Sequence, residues 1–346
     1  SRMSIKASGQ GIRFRPHVKT HQSAAVGEWF RLYGVRAITV SSLEMAVYFA
    51  NHGWDDILVA FPINLRQLDV VASLAERIHL SVLVESIQSV ETLGKKIVHP
   101  LDIWIKIDSG NGRTGIDWRD GERTLEILRA ASHFARLTIR GLLTHAGNTY
   151  SAASIEEICR RYQASVQRML ELRAALESAG GGHMEVSVGD TPGCSLCESL
   201  GAVDEIRPGN FVFFDSMMLK LGVCRFDQVA SVVACPVVAL HPEREEVLIY
   251  GGAVHLSKDY FLEDGKVKHG YIVPLGPEGW AAPLEGAYMA RLSQEHGIMH
   301  LPQKYSGSIA IGGLVGVVPA HVCLAVSALG RYWTTEGKEI ITVYCA

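Results

Sequence analysis

The sequence predicts the α/β class, with a (β/α)8, TIM-like barrel over residues 1–220 followed by a mostly antiparallel β domain over residues 221–346. Three observations predict it. From Ile12 to Phe214, short β-rich runs alternate with amphipathic segments of helical period, the pattern of parallel βα units. There are eight such strand runs, the number that closes a barrel. After Leu221 the long helical segments stop while β-rich runs continue. A chain of 346 residues that is 48% hydrophobic and 20% charged has enough apolar material for both parts.

The predicted barrel strands are Ile12 to Lys19, Val35 to Ser41, Asp56 to Phe61, Leu80 to Glu85, Asp102 to Asp108, Leu137 to His145, Met184 to Gly189 and Glu205 to Phe214. Between them, Leu43 to Asn51, Leu65 to Glu76, Ile87 to Ile97, Gly121 to Phe134 and Ile155 to Ser178 carry helical period. The second domain is predicted from Val229 to Leu240, Glu246 to Tyr250, Ile309 to Val318, Val322 to Ala328 and Glu339 to Tyr344. Ile309 to Gly330 holds no charged residue and is long enough for a membrane span. Its apolar clusters are strand-sized and broken by Gly312, Gly313, Gly316 and Pro319, so it reads as two buried strands joined by a turn.

With 48% hydrophobic and 20% charged residues, Lys+Arg 33 against Asp+Glu 36 and a net charge of -3, the composition excludes disorder, argues against a general nucleic-acid surface and points to small-molecule partners. Seven Cys, spread from Cys159 to Cys345 without a repeating framework, fit free thiols in the cytoplasm. Cys194-x-x-Cys197 lacks the second pair a structural zinc site requires. The start, Ser1-Arg2-Met3, has no apolar signal core and reads as the tail of a helix, so residues upstream are expected to be missing.

A barrel of this class carries its chemistry at the carboxyl ends of its strands, where Lys19, Asp108, His145, Asp190 and Gly209 are predicted to fall. In Arg13-Phe14-Arg15-Pro16-His17-Val18-Lys19, strand period puts Arg13, Arg15, His17 and Lys19 on one face. Inside a barrel, desolvation and crowding by positive neighbours would favour a neutral, nucleophilic Lys19. The plainer alternative is an edge strand with solvated basic residues.

Arg15-Pro16-His17-Val18-Lys19-Thr20-His21 resembles the pyridoxal-phosphate lysine segment of the D-serine dehydratase and D-threonine aldolase group, whose barrel is alanine racemase-like. The resemblance continues through Asp108-Ser109-Gly110-Asn111-Gly112-Arg113-Thr114-Gly115, Thr144-His145-Ala146-Gly147-Asn148-Thr149-Tyr150, Ser187-Val188-Gly189-Asp190-Thr191-Pro192, Arg207 to Asp215, and Pro319-Ala320-His321-Val322-Cys323. It implies that Lys19 is the Schiff-base lysine of pyridoxal 5'-phosphate. It also implies that the loops at Gly189, Thr191, Gly209 and Asn210 hold the phosphate, with the Asp190 side chain turned away. An aromatic or imidazole group at Tyr150 or His145 can stack on or hydrogen-bond the pyridine ring. Arg113 meets the ring hydroxylate or the substrate carboxylate, or else pairs with Asp108 in its turn.

His321-x-Cys323, at strand spacing, would put an imidazole and a thiolate on one face to share Zn²⁺ with two positions left open; the plainer alternative is two core residues. The resemblance makes this the metal position, His-x-Cys in the dehydratases and His-x-Asp in the aldolases. Sulfur favours Zn²⁺ over Mn²⁺ or Mg²⁺. Gln294-Glu295-His296-Gly297 resembles a segment near the metal. The implied activity is a D-serine dehydratase, eliminating water from a D-β-hydroxy amino acid to give a 2-keto acid and ammonia. The alternatives are a D-threonine or 3-hydroxy-D-aspartate aldolase, a racemase, and a noncatalytic cofactor-binding protein. A homodimer is expected, with no nucleic-acid or membrane partner.

Overall fold

The computed structural model describes residues 2–345, which divide into two compact units. The first comprises the chain up to Lys19 together with Val26–Gly209; the second comprises Thr20–Ala25 and the chain from Asn210 onward.

In the first unit, eight parallel strands run β1 Arg13–Phe14, β2 Ile38–Val40, β3 Asp56–Pro62, β4 His79–Val84, β5 Leu101–Asp108, β6 Leu137–His145, β7 Glu185–Gly189 and β8 Glu205–Ile206. Their order is β1-β8-β7-β6-β5-β4-β3-β2. The two ends of this sheet meet. Arg13, Arg15 and His17 donate backbone N–H bonds to Asp204, Ile206 and Pro208, each at 3.0 Å. On the other side, Val18 N donates to Thr39 O and Thr39 N to Pro16 O, both at 2.9 Å. The strands are apolar along nearly their whole length because both faces are covered; Ile103, Ile105 and Ile107 of β5 are all fully buried. Leu58, Leu83, Trp104 and Leu143, one from each of β3 to β6, pack into one buried cluster.

The intervening helices begin where short polar side chains can satisfy the first free N–H groups. Ser42, Ser86, Asp120 and Ser154 cap Leu43–Asn51, Ile87–Lys96, Gly121–Ser132 and Ile155–Ser178, each accepting from the backbone N–H three residues on. Two predicted strands are shorter than expected. Ile12 to Lys19 reduces to Arg13–Phe14, and Glu205 to Phe214 to Glu205–Ile206, because Pro16 and Pro208 cannot donate to a ladder. Beyond Pro208 the chain makes a turn of 3-10 helix at Asn210–Val212, and Phe214 takes a left-handed φ of 56°.

The seam of the barrel holds a buried ion-pair system. Arg15 Nε lies 2.8 Å from Glu205 Oε2 and its Nη1 lies 2.6 Å from Asp56 Oδ1. Burial alone would push the Glu205 carboxyl up, but the Arg15 charge and the hydrogen bonds from Arg15 and Ser187 hold it below its ordinary value. At the amino ends of the strands, His79 lies 2.7 Å from Asp102 Oδ2 and 3.5 Å from Asp56 Oδ1.

The second unit contains a closed antiparallel barrel of six strands: β9 Val233–His241, β10 Glu246–Tyr250, β11 Gly270–Val273, β12 Tyr288–Leu292, β13 His296–His300 and β14 Leu314–Pro319. Strand alternation fills it, with Cys235, Val237, Val247, Ile249, Met289, Met299, Val315 and Val317 in one buried cluster. Here one expectation fails. Val322 to Ala328, read as a strand, lies within the helix Val322–Leu329. An apolar run this short has no readable period of its own. Its buried residues, Val322, Cys323, Ala325 and Val326, fall on one helical face. Gly330, at a left-handed φ of 71°, ends the helix by donating to Val326 O. The expected strand Ile309 to Val318 likewise starts only at Leu314. Among the described residues no helix is long and apolar enough to cross a membrane.

Cysteine usage also departs from expectation. Cys159 and Cys197 form a disulfide with their Cα atoms 5.2 Å apart, whereas Cys194, Cys224, Cys235 and Cys345 are free thiols. The pairing joins the helix Ile155–Ser178 to the end of the short helix Thr191–Leu196, a proximity that spacing in the sequence does not carry.

Two predictions follow from the barrel seam and rim. Arg15→Met leaves Glu205 buried without its cation and is expected to cost about 3–5 kcal/mol in urea unfolding, partly recovered by adding Glu205→Gln. His79, held up at about 10 by Asp102 and Asp56, contributes stability that is complete below its unfolded value near 6.5. That contribution declines as pH rises through about 10. The stability gap between wild type and His79→Gln is therefore expected to close over that window in thermal melts, from a maximum of about 1 kcal/mol because the ring is half exposed.

Candidate functional site

The first unit gathers basic groups at the carboxyl ends of its strands. Lys19 follows the β1 segment, and its backbone N lies 3.4 Å from His17 Nδ1. His17 is pushed well below its ordinary pKa, first by burial and then by the charges of Lys19 and Arg207, with His145 and Arg113 adding to the same effect. His145, the last residue of β6, is pushed down to about 3 by burial, then by Lys19 and Arg113. Both rings are therefore neutral. His145 Nδ1 bonds the carbonyl of Gly189, which can only accept, so that nitrogen carries the proton and Nε2 keeps its lone pair. His17 accepts at Nδ1 and carries its proton on Nε2. Lys19, His17, His145, Arg113 and Arg207 are thus mutual electrostatic neighbours.

Tyr150 lies in the 3-10 turn Gly147–Ser151, its ring centroid 6.1 Å from that of His145. Its hydroxyl accepts from Thr191 N at 3.2 Å. Thr191 Oγ1 in turn accepts from Gly209 N at 3.4 Å, so the loops after β7 and β8 are joined. The Asp190 side chain is used inside the protein. It accepts from Gly193 N at 2.6 Å and from Thr149 Oγ1 at 2.8 Å, and burial raises it to about 6. A side chain added at Gly189 would press on Arg207, with a Cβ only 3.1 Å from Nη1.

Arg113 stands exposed at the end of the loop that leaves β5. Its alternative partner is engaged elsewhere: Asp108 Oδ1 accepts from the backbone N of Gly110, Asn111 and Gly112 at 2.9, 2.8 and 3.1 Å. Gly115 closes that loop at φ 111°, where a Cβ would come within 2.6 Å of Asp108 N.

Two first-unit residues were not singled out from the sequence. Arg207 is buried, donates from Nε to Ser187 Oγ at 2.7 Å and also bonds Thr144 O. Lys106 on β5 is buried and donates to Ile107 O at 2.8 Å. Burial, then the charges of Arg207 and Arg113, push its amine down to about 7. The available signal was a single cation inside the apolar run Ile103 to Ile107.

The second unit holds the remaining candidates. Asn210 Nδ2 donates to Asp215 Oδ2 at 2.6 Å. His321 is the N-cap residue of the helix Val322–Leu329 and Cys323 lies in its first turn. The two side chains meet through a helix start, not through the strand face expected. Burial by itself would lower His321, but the neighbouring Cys323 and Asp215 outweigh it and hold the imidazole well above its ordinary value. His321 Nδ1 lies 3.3 Å from Asp215 Oδ2. Thr20 Oγ1 lies 3.2 Å from Cys323 Sγ. Among the described residues no group of three or more His, Cys, Asp or Glu side chains is placed to hold a metal ion. Glu295 lies in the turn between β12 and β13, and His296 opens β13 as an exposed residue.

Known proteins share the family and fold of this chain. Residues 2–217 match the alanine racemase N-terminal domain and residues 230–335 match a serine dehydratase domain. D-threo-3-hydroxyaspartate dehydratase of Delftia sp. (strain HT23) is 30% identical over 332 residues, covering 93% of this chain and 87% of the relative. D-serine dehydratase of Dictyostelium discoideum is 26% identical over 354 residues, covering 96% and 88%. The solved structure of the Delftia dehydratase superposes with a TM-score of 0.89 at 27% identity, covering 99% of this chain and 93% of that one; a cysteine-to-alanine variant of it is known in the metal-free form. Fold and matches define an alanine racemase-like pyridoxal-phosphate enzyme. Within that class the chain belongs to the family that joins this barrel to a serine dehydratase domain, whose members are lyases of D-amino acids.

Proposed function

We propose that this protein is a pyridoxal-phosphate- and zinc-dependent dehydratase of D-β-hydroxy amino acids, releasing a 2-keto acid and ammonia. The observation that carries the reading is the pairing of His321 with Cys323 beside Asp215 and Thr20. An imidazole with a thiol is a donor set suited to Zn²⁺, whereas a carboxylate in place of sulfur would suit Mn²⁺ or Mg²⁺. A cysteine-to-alanine variant of D-threo-3-hydroxyaspartate dehydratase in the metal-free form is in keeping with a metal in that relative.

The first-unit residues fit pyridoxal phosphate on their own chemistry. Two neutral imidazoles and the cations Lys19, Arg113 and Arg207 surround one another, an arrangement that an anionic ligand would stabilise. In this reading Lys19 holds the cofactor, and Gly189, Thr191, Gly209 and Asn210 contact its phosphate. His145 and Tyr150 border its ring, and Arg113 faces an anionic oxygen of cofactor or substrate. The bound cofactor supplies an electron sink for charge developing at Cα. Zn²⁺ held by His321 and Cys323 supplies Lewis acidity toward the β-hydroxyl. Lys19 Nζ takes the proton from Cα. The neutral His17 and His145 raise no opposing positive charge against that amine, and the buried Arg207 ties the carboxyl-end residues of β6 and β7 together through Thr144 and Ser187. The partner is a small D-amino acid, and the same reading makes the protein a cytoplasmic homodimer.

The test is product analysis of metal-replete protein with D-serine, D-threonine and D-threo-3-hydroxyaspartate. The expected result is a 2-keto acid with equimolar ammonia from at least one of them. Glycine with an aldehyde or glyoxylate would establish an aldolase instead, and no product from any would refute a lyase. Lys19→Ala is expected to lose at least about 100-fold in kcat.

A further inference from the structure

Asp215 is fully buried, and four donors surround its carboxylate. Oδ1 accepts from Met218 N at 3.0 Å. Oδ2 accepts from Asn210 Nδ2 at 2.6 Å and from Val322 N at 3.1 Å, and it lies 3.3 Å from His321 Nδ1. Three of these donors crowd Oδ2, more than its about two lone pairs, so that oxygen has nothing left to offer a metal directly. What it does is fix an imidazole. An acceptor at Nδ1 keeps a proton on that nitrogen, so the proton a metal would displace is the one on Nε2, the nitrogen turned away from Asp215. Through Val322 N the same carboxylate also ties down the first turn of the helix that carries Cys323. The cysteine has its own support: a hydroxyl 3.2 Å from Cys323 Sγ, that of Thr20, can donate to a thiolate and disperse its charge.

We infer that Asp215 and Thr20 are positioning residues that make His321 and Cys323 a preorganised pair of metal ligands, Asp215 by presenting His321 Nε2 and Thr20 by orienting the Cys323 sulfur. This rests on the reading of His321 and Cys323 as zinc ligands. Asp215 was invisible as such in the sequence because it lies far from His321 along the chain, and its burial marks it as a polar group retained for its partners.

The experiment uses full-length, cofactor-bound protein stripped of metal by chelation. Zn²⁺ affinity is measured by competition with a chromophoric chelator. Co²⁺ is titrated separately, because its thiolate charge-transfer band reports ligation by Cys323. Asp215→Asn is expected to weaken zinc binding by about 10–100-fold, and Thr20→Val by a smaller factor, while both keep the cobalt band. Nitrogen-15 NMR of zinc-loaded wild type is expected to show His321 protonated at Nδ1 and ligating through Nε2, a readout that needs no variant to fold. Zinc on Nδ1 of His321, or wild-type zinc affinity in both variants, overturns the inference. A wild-type protein that takes up no zinc, or whose cobalt complex lacks the thiolate band, overturns the ligand reading itself and this inference with it.

Discussion

The first unit depends on one seam. Its opening strand enters between β8 and β2, bonded through Arg13, Arg15 and His17 on one side and through Pro16 and Val18 on the other. Arg15 locks that entry by placing a guanidinium between Glu205 and Asp56. A buried pair of this kind contributes little net stability relative to an apolar filling, but it strongly penalises any register that separates the charges. A one-residue slip would turn Arg15 to the opposite face and leave Glu205 alone. The same register delivers Lys19 to the carboxyl end of the strands, four residues beyond Arg15, so the ion pair fixes where the amine stands.

The cluster at those strand ends is organised by desolvation. Three cations beside two imidazoles would be self-defeating in water-poor surroundings if every group stayed charged. The protein resolves this by keeping His17 and His145 neutral, with each ring's proton assigned by its hydrogen-bond partner. The second unit uses a different device. There an imidazole, a thiol and a carboxylate converge at the start of one helix, and the helix cap, not a strand face, sets their spacing. In the proposed reading the two devices serve different tasks, the first receiving an anion and the second offering nitrogen and sulfur to a metal.

Much of this was legible in the sequence because the barrel is repetitive. The helices Leu43–Asn51 and Ile155–Ser178 and the strand Leu137–His145 lie where their periodicity puts them. What was not legible depended on tertiary contacts. Val322–Leu329 is an apolar run whose partners alone decide between helix and strand, although Gly330 was a stop signal that favoured a helix. The Cys159–Cys197 pairing and the effect of Arg207 on the Lys106 amine arise between residues distant in the chain, and the capture of Asn210 by Asp215 depends on how the intervening turn folds. Period two put His17 and Lys19 on one face, and the two are electrostatic neighbours, while the partners of Arg15, Glu205 and Asp56, come from distant strands.

The central claim is that Lys19, and not Lys106, carries the cofactor. Lys106 is the physical rival, with its amine near neutrality at about 7, but it is tethered to Ile107 O. Borohydride reduction of the pyridoxal-phosphate-loaded protein, followed by proteolysis and mass mapping of the pyridoxyl group, decides between them. The account predicts near-stoichiometric label on Lys19 alone; label on Lys106, or none on either lysine, would contradict it.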